Sequence, residues 1–283
     1  MAPNILMAIK NIAEFGDTNL QGYSTKYLIG INAAGEQLEY YLKDAFANSF
    51  SAVKSRKQLI YSNVFEWNGN QNNPPDFILK GGDAFEIKKK ESAGGAIPLN
   101  SSSPKDRLHA SDCKLSADCR ICDGGEWAEK DIFYIVGHVS KGKIRHLFIA
   151  HGRCYAAKKE CYDRVEGSLK KSIDGIIGSL GLEGGETLEL GRVHRVDPLG
   201  ITELRVRGMW QIEHPMKVFE DIYTNKKAKR FGIAAIMTKE KYDSFPKADR
   251  TALEKTPRIR KKIVKVRDPN NPAKLMEAVL LSL

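Results

Sequence analysis

The chain has 283 residues, 42% of them hydrophobic, with Lys+Arg 45 against Asp+Glu 35, a formal net charge of +10 and a pI near 9.2. That composition excludes a disordered chain and supports a substantial core, expected as a single domain over residues 1–283, in one piece or with an insertion. The basic balance favours polyanionic partners: DNA, RNA or an anionic membrane surface.

Met1-Ala2-Pro3-Asn4 leads into Ile5-Leu6-Met7-Ala8-Ile9 without a basic n-region or cleavage pattern, and no apolar run is long enough to span a bilayer, so a cytoplasmic protein is expected. Helices are expected near 4–14 and 33–49. In the second, Leu38, Tyr41, Leu42, Ala45 and Phe46 form one stripe bordered by Glu39. Glu39 is either within reach of a site beside the stripe or an ordinary solvent-facing glutamate. Gln58 to Trp67 reads as a strand.

Asn72-Asn73-Pro74-Pro75-Asp76 and Asp83-Ala84-Phe85-Glu86-Ile87-Lys88-Lys89-Lys90 then form a hairpin around Lys80-Gly81-Gly82. A loop of only Gly81-Gly82 pairs Asp76 with Ile87 and turns the acid away from Glu86. A three-residue loop closed by a left-handed glycine pairs Leu79 with Asp83, Phe77 with Phe85 and Asp76 with Glu86. Phe77, Leu79, Phe85 and Ile87 then share one face, and Asp76, Glu86 and Lys88 the other, with the opposed acids roughly 5 Å apart at Cβ. Two acids so placed suit Mg²⁺, which takes one or two carboxylates and fills its remaining positions with water and phosphate. Lys88 would orient or help deprotonate the attacking water. A surface hairpin with a solvated lysine end is the alternative.

Asn100-Ser101-Ser102 with Lys105 follow as a groove or phosphate contact, or as a capped loop. Five cysteines, an odd number, argue for reduced thiols, and the Cys113/Cys119/Cys122 cluster fits zinc spacing poorly. Asp131–Val139 is a buried strand pairing with Lys143–His151. Roughly 157–180 is an amphipathic helix whose Val165, Leu169, Ile173, Ile176 and Leu180 are expected to pack on the sheet as core.

Between Leu188 and Pro215, arginines alternate with valine and leucine. Arginine reads guanine O6 and N7 bidentately and also clamps phosphate, so Arg205 and Arg207 are candidates for base reading, with Arg192, His194 and Arg195 beside them. The alternative is a solvated strand face paired with Glu203 and Glu213. Lys226-Lys227-Ala228-Lys229-Arg230 and Arg258–Arg267, within a basic part from 226 to 283, are phosphate-facing or merely solvated. The histidines lack a metal-binding or nucleophile constellation and read as structural or as DNA hydrogen-bonding groups.

Asn73-Pro74-Pro75-Asp76, Glu86-Ile87-Lys88-Lys89, Leu99–Ser102 with Pro104-Lys105, Lys130–Gly137, Glu189–Arg192, Val196–Thr202 and Leu204–Trp210 together resemble the NgoPII type of restriction endonuclease over roughly residues 30–225. Cys119–Gly125 and the chain from about 226 lie outside the resemblance. It implies the PD-(D/E)xK fold, an α/β architecture with a restriction-endonuclease-like mixed β-sheet flanked by α-helices. It further implies Mg²⁺-dependent cleavage of double-stranded DNA at a short palindrome, GGCC in that family. A homodimer and a methyltransferase protecting the host site belong with that reading. The metal acids map onto Asp76 and Glu86, the lysine onto Lys88 and the helix glutamate onto Glu39. DNA-recognition elements are expected around 97–125 and 188–215. A structure-specific or repair nuclease with the same trio, and a non-catalytic DNA-binding protein, are the rival readings.

Overall fold

The structure, a computed structural model, describes residues 3–23, 31–70, 73–92, 94–224 and 231–283, and only the backbone at 31–34, 70 and 73. Lys226–Arg230 lie outside the described residues. The chain opens with helices α1 (Ile5–Phe15), α2 (Ile31–Ala47) and α3 (Lys54–Val64), then strands β1 (Phe65–Asn70), β2 (Asn73–Leu79), β3 (Ala84–Lys90), β4 (Ile97–Asn100) and β5 (Arg107–His109). Helix α4 (Ala117–Arg120) precedes β6 (Glu129–Ser140) and β7 (Lys143–His151), followed by α5 (Gly152–Tyr155) and α6 (Lys159–Ser179). Next come β8 (Glu183–Gly184), β9 (Gly191–His194), β10 (Leu204–Val206), β11 (Trp210–Ile212) and α7 (Pro215–Val218). Strand β12 (Gly232–Thr238), helices α8 (Lys239–Ser244) and α9 (Lys247–Glu254), and strands β13 (Arg260–Asp268) and β14 (Asn271–Ser282) complete the chain.

The large sheet runs β1-β2-β3-β6-β7-β12-β14-β13, with β5 pairing to β6. It is mixed: β3 with β6 and β7 with β12 are parallel, and the other neighbours antiparallel. Because side chains alternate across a strand, its residues divide between two cores. Phe77, Leu79, Phe85, Phe133, Ile135, Leu147 and Ile149 pack with α1, α2 and α9. Ile78, Ala84, Tyr134, Val136, Phe148 and Ala150 face the opposite way, under β4, β5, α4, α5 and the α7 region. Strand β12 serves both cores and is buried at all seven positions, as expected between a parallel and an antiparallel neighbour.

Helix α1 forms as its ends direct: the Asn4 side chain accepts from the Leu6 and Met7 amides, and Gly16 closes it at φ 72°. Helix α2 approaches the sheet closely because Gly137 lies beneath Leu38; a Cβ there would stand 2.5 Å from Leu38 Cδ2.

Two expectations are corrected. Residues 58–64 are not strand but belong to α3, and the strand starts at Phe65. Helix α3 buries only Tyr61, and what fixes it is a buried acid: Asp44 of α2 accepts from the Tyr61 hydroxyl at 2.7 Å and from Ser49 Oγ at 2.6 Å, and pairs with Lys57. The second correction concerns α6, which is a helix but not core. Val165, Leu169, Ile176 and Leu180 are 44%, 50%, 58% and 66% exposed, and Ile177 alone in α6 is buried. Helix α6 packs on the small sheet β10-β9-β8, outside the large one. Helical spacing alone does not say whether a partner face exists.

The core that carries the hairpin should be sensitive to volume. Phe77→Ala removes a ring with no exposure, and urea unfolding should show a loss of about 3–5 kcal/mol. A loss under about 1 kcal/mol would mean Phe77 is not part of a packed core.

Candidate active site

The site begins with the turn between β2 and β3. Leu79 N donates to Asp83 O at 3.0 Å, Gly82 N donates to Leu79 O at 3.0 Å, and Gly81 sits at φ 59°, so the loop has three residues. The ladder has Phe77 opposite Phe85 and Ile78 opposite Ala84, which sets Asp76 opposite Glu86. The Phe77 and Phe85 rings stack at 5.1 Å between centroids, with Phe46 of α2 against both.

Beyond Phe77 the backbone ladder gives way to a side chain. Pro75 O accepts from Trp67 Nε1 at 3.2 Å instead of from Ile87, and the Ile87 amide donates to Asp76 Oδ2 at 2.5 Å. This anchors one carboxylate oxygen of Asp76 on the strand that carries Glu86. Lys88 Nζ donates to Glu86 Oε1 at 2.6 Å. Glu86 is buried, and its Oε2 has no hydrogen-bond partner.

Burial, then the charge of Glu86, push the Asp76 carboxyl well above the usual carboxylate range, and Glu39 adds to the rise. Burial works against the Lys88 ammonium, yet Glu86 and Asp76 more than offset it, so its pKa is raised. Among the described residues no three His, Cys, Asp or Glu side chains cluster as metal ligands. The Asp76–Glu86 donor set still fits Mg²⁺, because that ion needs only one or two protein carboxylates and Glu86 Oε2 is a buried acceptor with nothing to accept. Glu39 stands beside this pair on α2 and is held by Lys43 Nζ at 2.7 Å.

The two expected recognition elements meet, which spacing along the chain did not foretell. Strand β11 pairs with β4, setting Trp210 against Asn100 and Ile212 against Ile97. Asn100 and Ser101 are exposed at the end of β4, and Ser102 N turns back to Leu99 O at 3.2 Å. Lys105 pairs through its amine with the buried Asp112, and its amide donates to the Tyr134 hydroxyl at 2.7 Å. On the arm formed by β8, β9 and β10, Arg192 and His194 contact Glu203, while Arg205 and Arg207 both contact Glu189. Glu213 pairs with Lys217, not with an arginine. Arg195 is exposed at the start of the turn after β9, its Nε 3.9 Å from Glu183 Oε2.

Sequence reasoning missed a second charge cluster on the other face of the hairpin. Lys241 Nζ bridges Asp83 Oδ1 at 2.5 Å and Asp131 Oδ2 at 2.9 Å, and the buried His151 lies 3.2 Å from Asp131 Oδ1. It ties the start of β3 to the start of β6 and to α8. Lys241 follows Thr238, whose hydroxyl accepts from the Lys241 amide at 3.2 Å and fixes that first turn; no local motif advertises the long-range pairing. Three further histidines are engaged: His214 caps α7, His146 meets the Tyr223 hydroxyl at 2.8 Å and His138 meets Glu91 O at 3.0 Å. All five cysteines are free. Burial raises the thiols of Cys119 and Cys154 to about 12 and that of Cys122 to about 11.

A mixed sheet flanked by helices, with an acid pair and a lysine where its antiparallel hairpin joins a parallel strand, is a restriction-endonuclease-like fold. The family model of the NgoPII restriction endonuclease matches residues 3–269, which takes in most of the C-terminal part that the sequence motifs left unmatched. The type II restriction enzyme NgoPII of Neisseria gonorrhoeae is 42% identical over 280 residues, 99% of this chain and 99% of that protein. No solved structure matches the chain. The chain belongs to the NgoPII restriction endonuclease family and is a type II site-specific deoxyribonuclease. That membership sets aside the repair nuclease and the non-catalytic binding protein. Among the described residues no helix is long and apolar enough to cross a membrane.

The raised Asp76 pKa has a stability consequence in the metal-free protein. The folded value lies above the unfolded one of about 3.9, so the linked stability is fully present below about pH 4 and is lost as pH rises through the folded value. Asp76→Asn removes that loss. The variant should melt above the wild type at neutral pH and converge with it near pH 4 in thermal scans without divalent metal. Equal melting temperatures across that range would contradict the burial of the Asp76 charge.

Proposed function

We propose that the enzyme hydrolyses double-stranded DNA in a Mg²⁺-dependent reaction at a short palindrome, GGCC by family resemblance, and acts as a homodimer. The observation that carries the metal reading is Glu86 Oε2, buried and without a partner beside Asp76. Asp76 and Glu86 would hold the ion. When bound, Mg²⁺ supplies positive charge for the scissile phosphate and acidifies water for attack. Asp76 keeps its orientation through the Ile87 amide. Lys88, held as an ammonium by both acids, donates hydrogen bonds and positions the nucleophile; in this protonated form it is not a base. Glu39 contributes charge from α2 and is the nearby carboxylate on a separate element.

The DNA-contacting set is Asn100, Ser101 and Ser102 at the end of β4, with Arg192, His194, Arg195, Arg205 and Arg207 on the arm. The β4–β11 pairing supports treating these as one surface. Lys105, committed to Asp112, serves that surface by holding its loop.

A palindrome is matched by a two-fold dimer, and α6 supports one. At 3.6 residues per turn, Cys161, Val165, Ser168, Leu169, Ser172, Ile176, Ser179 and Leu180 share one arc that carries no charged residue. In a protein of net charge +10, a charge-free apolar arc is where a second copy can approach without like-charge repulsion. Such an enzyme works on cellular DNA in the cytoplasm, beside a methyltransferase that protects the host site.

Three measurements test this reading. Asp76→Ala or Glu86→Ala should abolish cleavage while sequence-specific binding persists; near wild-type cutting by either would remove the pair from the active site. End-mapping of a sequenced plasmid digested with Mg²⁺ should place every cut at GGCC, and cuts elsewhere would replace that site. Leu169→Asp should convert a sedimenting dimer to monomer without unfolding it, whereas an unchanged dimer would move the interface off α6.

A further inference from the structure

The polar face of the arm sets two carboxylates, Glu189 and Glu203, against its arginines, where a phosphate-binding surface should carry none. Arg205 Nε and Nη2 donate to Glu189 Oε2 and Oε1 at 2.9 and 2.6 Å, and Arg207 Nε donates to the same Oε1 at 2.6 Å. Arg192 Nε and Nη2 donate to Glu203 Oε2 at 3.1 and 2.5 Å, and His194 Nδ1 lies 2.8 Å from Glu203 Oε1. Arg192 and Arg205 are opposite one another across β9 and β10, so these groups share a face. The reverse face is occupied: Val193 is buried, and a Cβ on Gly191 would stand 2.6 Å from Ile173 Cγ2 of α6.

Glu189 lies beneath the arginines, its side chain 17% exposed against 53% for Arg205 and 56% for Arg207. It engages Arg205 along the Nε–Nη2 side and Arg207 at Nε alone. Both guanidiniums therefore keep Nη1 and an outer N–H of Nη2 pointed away from the carboxylate, the two donors that match guanine O6 and N7. An arginine held along one side loses torsional freedom before it meets its target, so less is lost on binding. The same carboxylate reduces attraction to phosphate, which rewards any nearby cation regardless of sequence.

We propose that Glu189 is a positioning residue for sequence recognition: it aims Arg205 and Arg207 at base edges and lowers affinity for DNA that lacks the matching guanines. Glu203 holds Arg192 and His194 in the same way. This rests on the reading that the polar face of the arm meets DNA.

The test is an anisotropy titration, in metal-free buffer at several salt concentrations, on a duplex containing GGCC and on one of scrambled sequence. Glu189→Gln, which keeps the shape and removes the charge, should bind the scrambled duplex more tightly and with a steeper salt dependence, while the cognate-to-scrambled ratio falls about tenfold. Glu189→Asp should recover part of the ratio. An unchanged ratio overturns the proposal, and so does a parallel loss on both duplexes with a lowered melting temperature, which would make Glu189 a fastener of the arm. Arg205→Ala separates the two levels: if it leaves both affinities unchanged, the face does not meet DNA and the underlying reading falls.

Discussion

The antiparallel register of β2 and β3 is the constraint on which the rest depends. With Phe77 opposite Phe85, the residues Phe77, Leu79, Phe85 and Ile87 enter the core beneath α2, and Asp76 and Glu86 are left together on the other face. A slip of one residue would reverse both faces at once. The stacked phenylalanines therefore do more than fill space. Aromatic packing on one side holds an arrangement on the other that electrostatics alone would oppose, since two closely placed carboxylates repel and Asp76 is pushed toward its neutral form.

The surroundings of the site follow from the sheet being mixed. A parallel pair cannot be closed by a hairpin, so the chain must leave the sheet and return between β3 and β6, and again between β7 and β12. Both excursions contribute to the core on the face that carries the acids: Ile97, Leu108, Leu115 and Cys119 from the first, Cys154, Tyr155 and Phe219 from the second. The candidate DNA contacts lie on these same excursions. Pairing of β4 with β11 joins the two, so residues more than a hundred positions apart in sequence are carried as one piece.

Elements governed by a strict local period were legible in the sequence. The two-residue alternation around Lys80-Gly81-Gly82 fixed the hairpin, the apolar run at Asp131–Val139 gave β6, and the helix expected near 4–14 is α1. What failed depended on distant partners. Residues 58–64 have no strong pattern of their own, and Asp44 decides their conformation from another helix. The α6 stripe has helical spacing, but spacing carries no information on whether the opposing surface belongs to the same chain. For the site, Asp76, Glu86 and Lys88 were readable because they lie within one hairpin. Glu189 was not, because its partners are 16 and 18 residues away and become its neighbours only when β10 folds back along β9.

The charges divide into two kinds with different reach. Arg260, Lys262, Lys265 and Arg267 line β13, the last strand of the large sheet, where exposed lysines also keep an open edge from pairing with other chains. Charges of this kind act over about a Debye length, roughly 8 Å at physiological ionic strength, and draw in a duplex whatever its sequence. At the hairpin and on the arm, by contrast, four cations have a carboxylate within hydrogen-bond distance: Lys88 with Glu86, Arg192 with Glu203, Arg205 and Arg207 with Glu189. Such pairs add little to long-range attraction, because the opposite charges cancel beyond a few ångströms. What they provide is orientation. The net charge of +10 thus describes the long-range attraction to DNA, whereas the groups proposed for discrimination and chemistry contribute almost nothing to that sum.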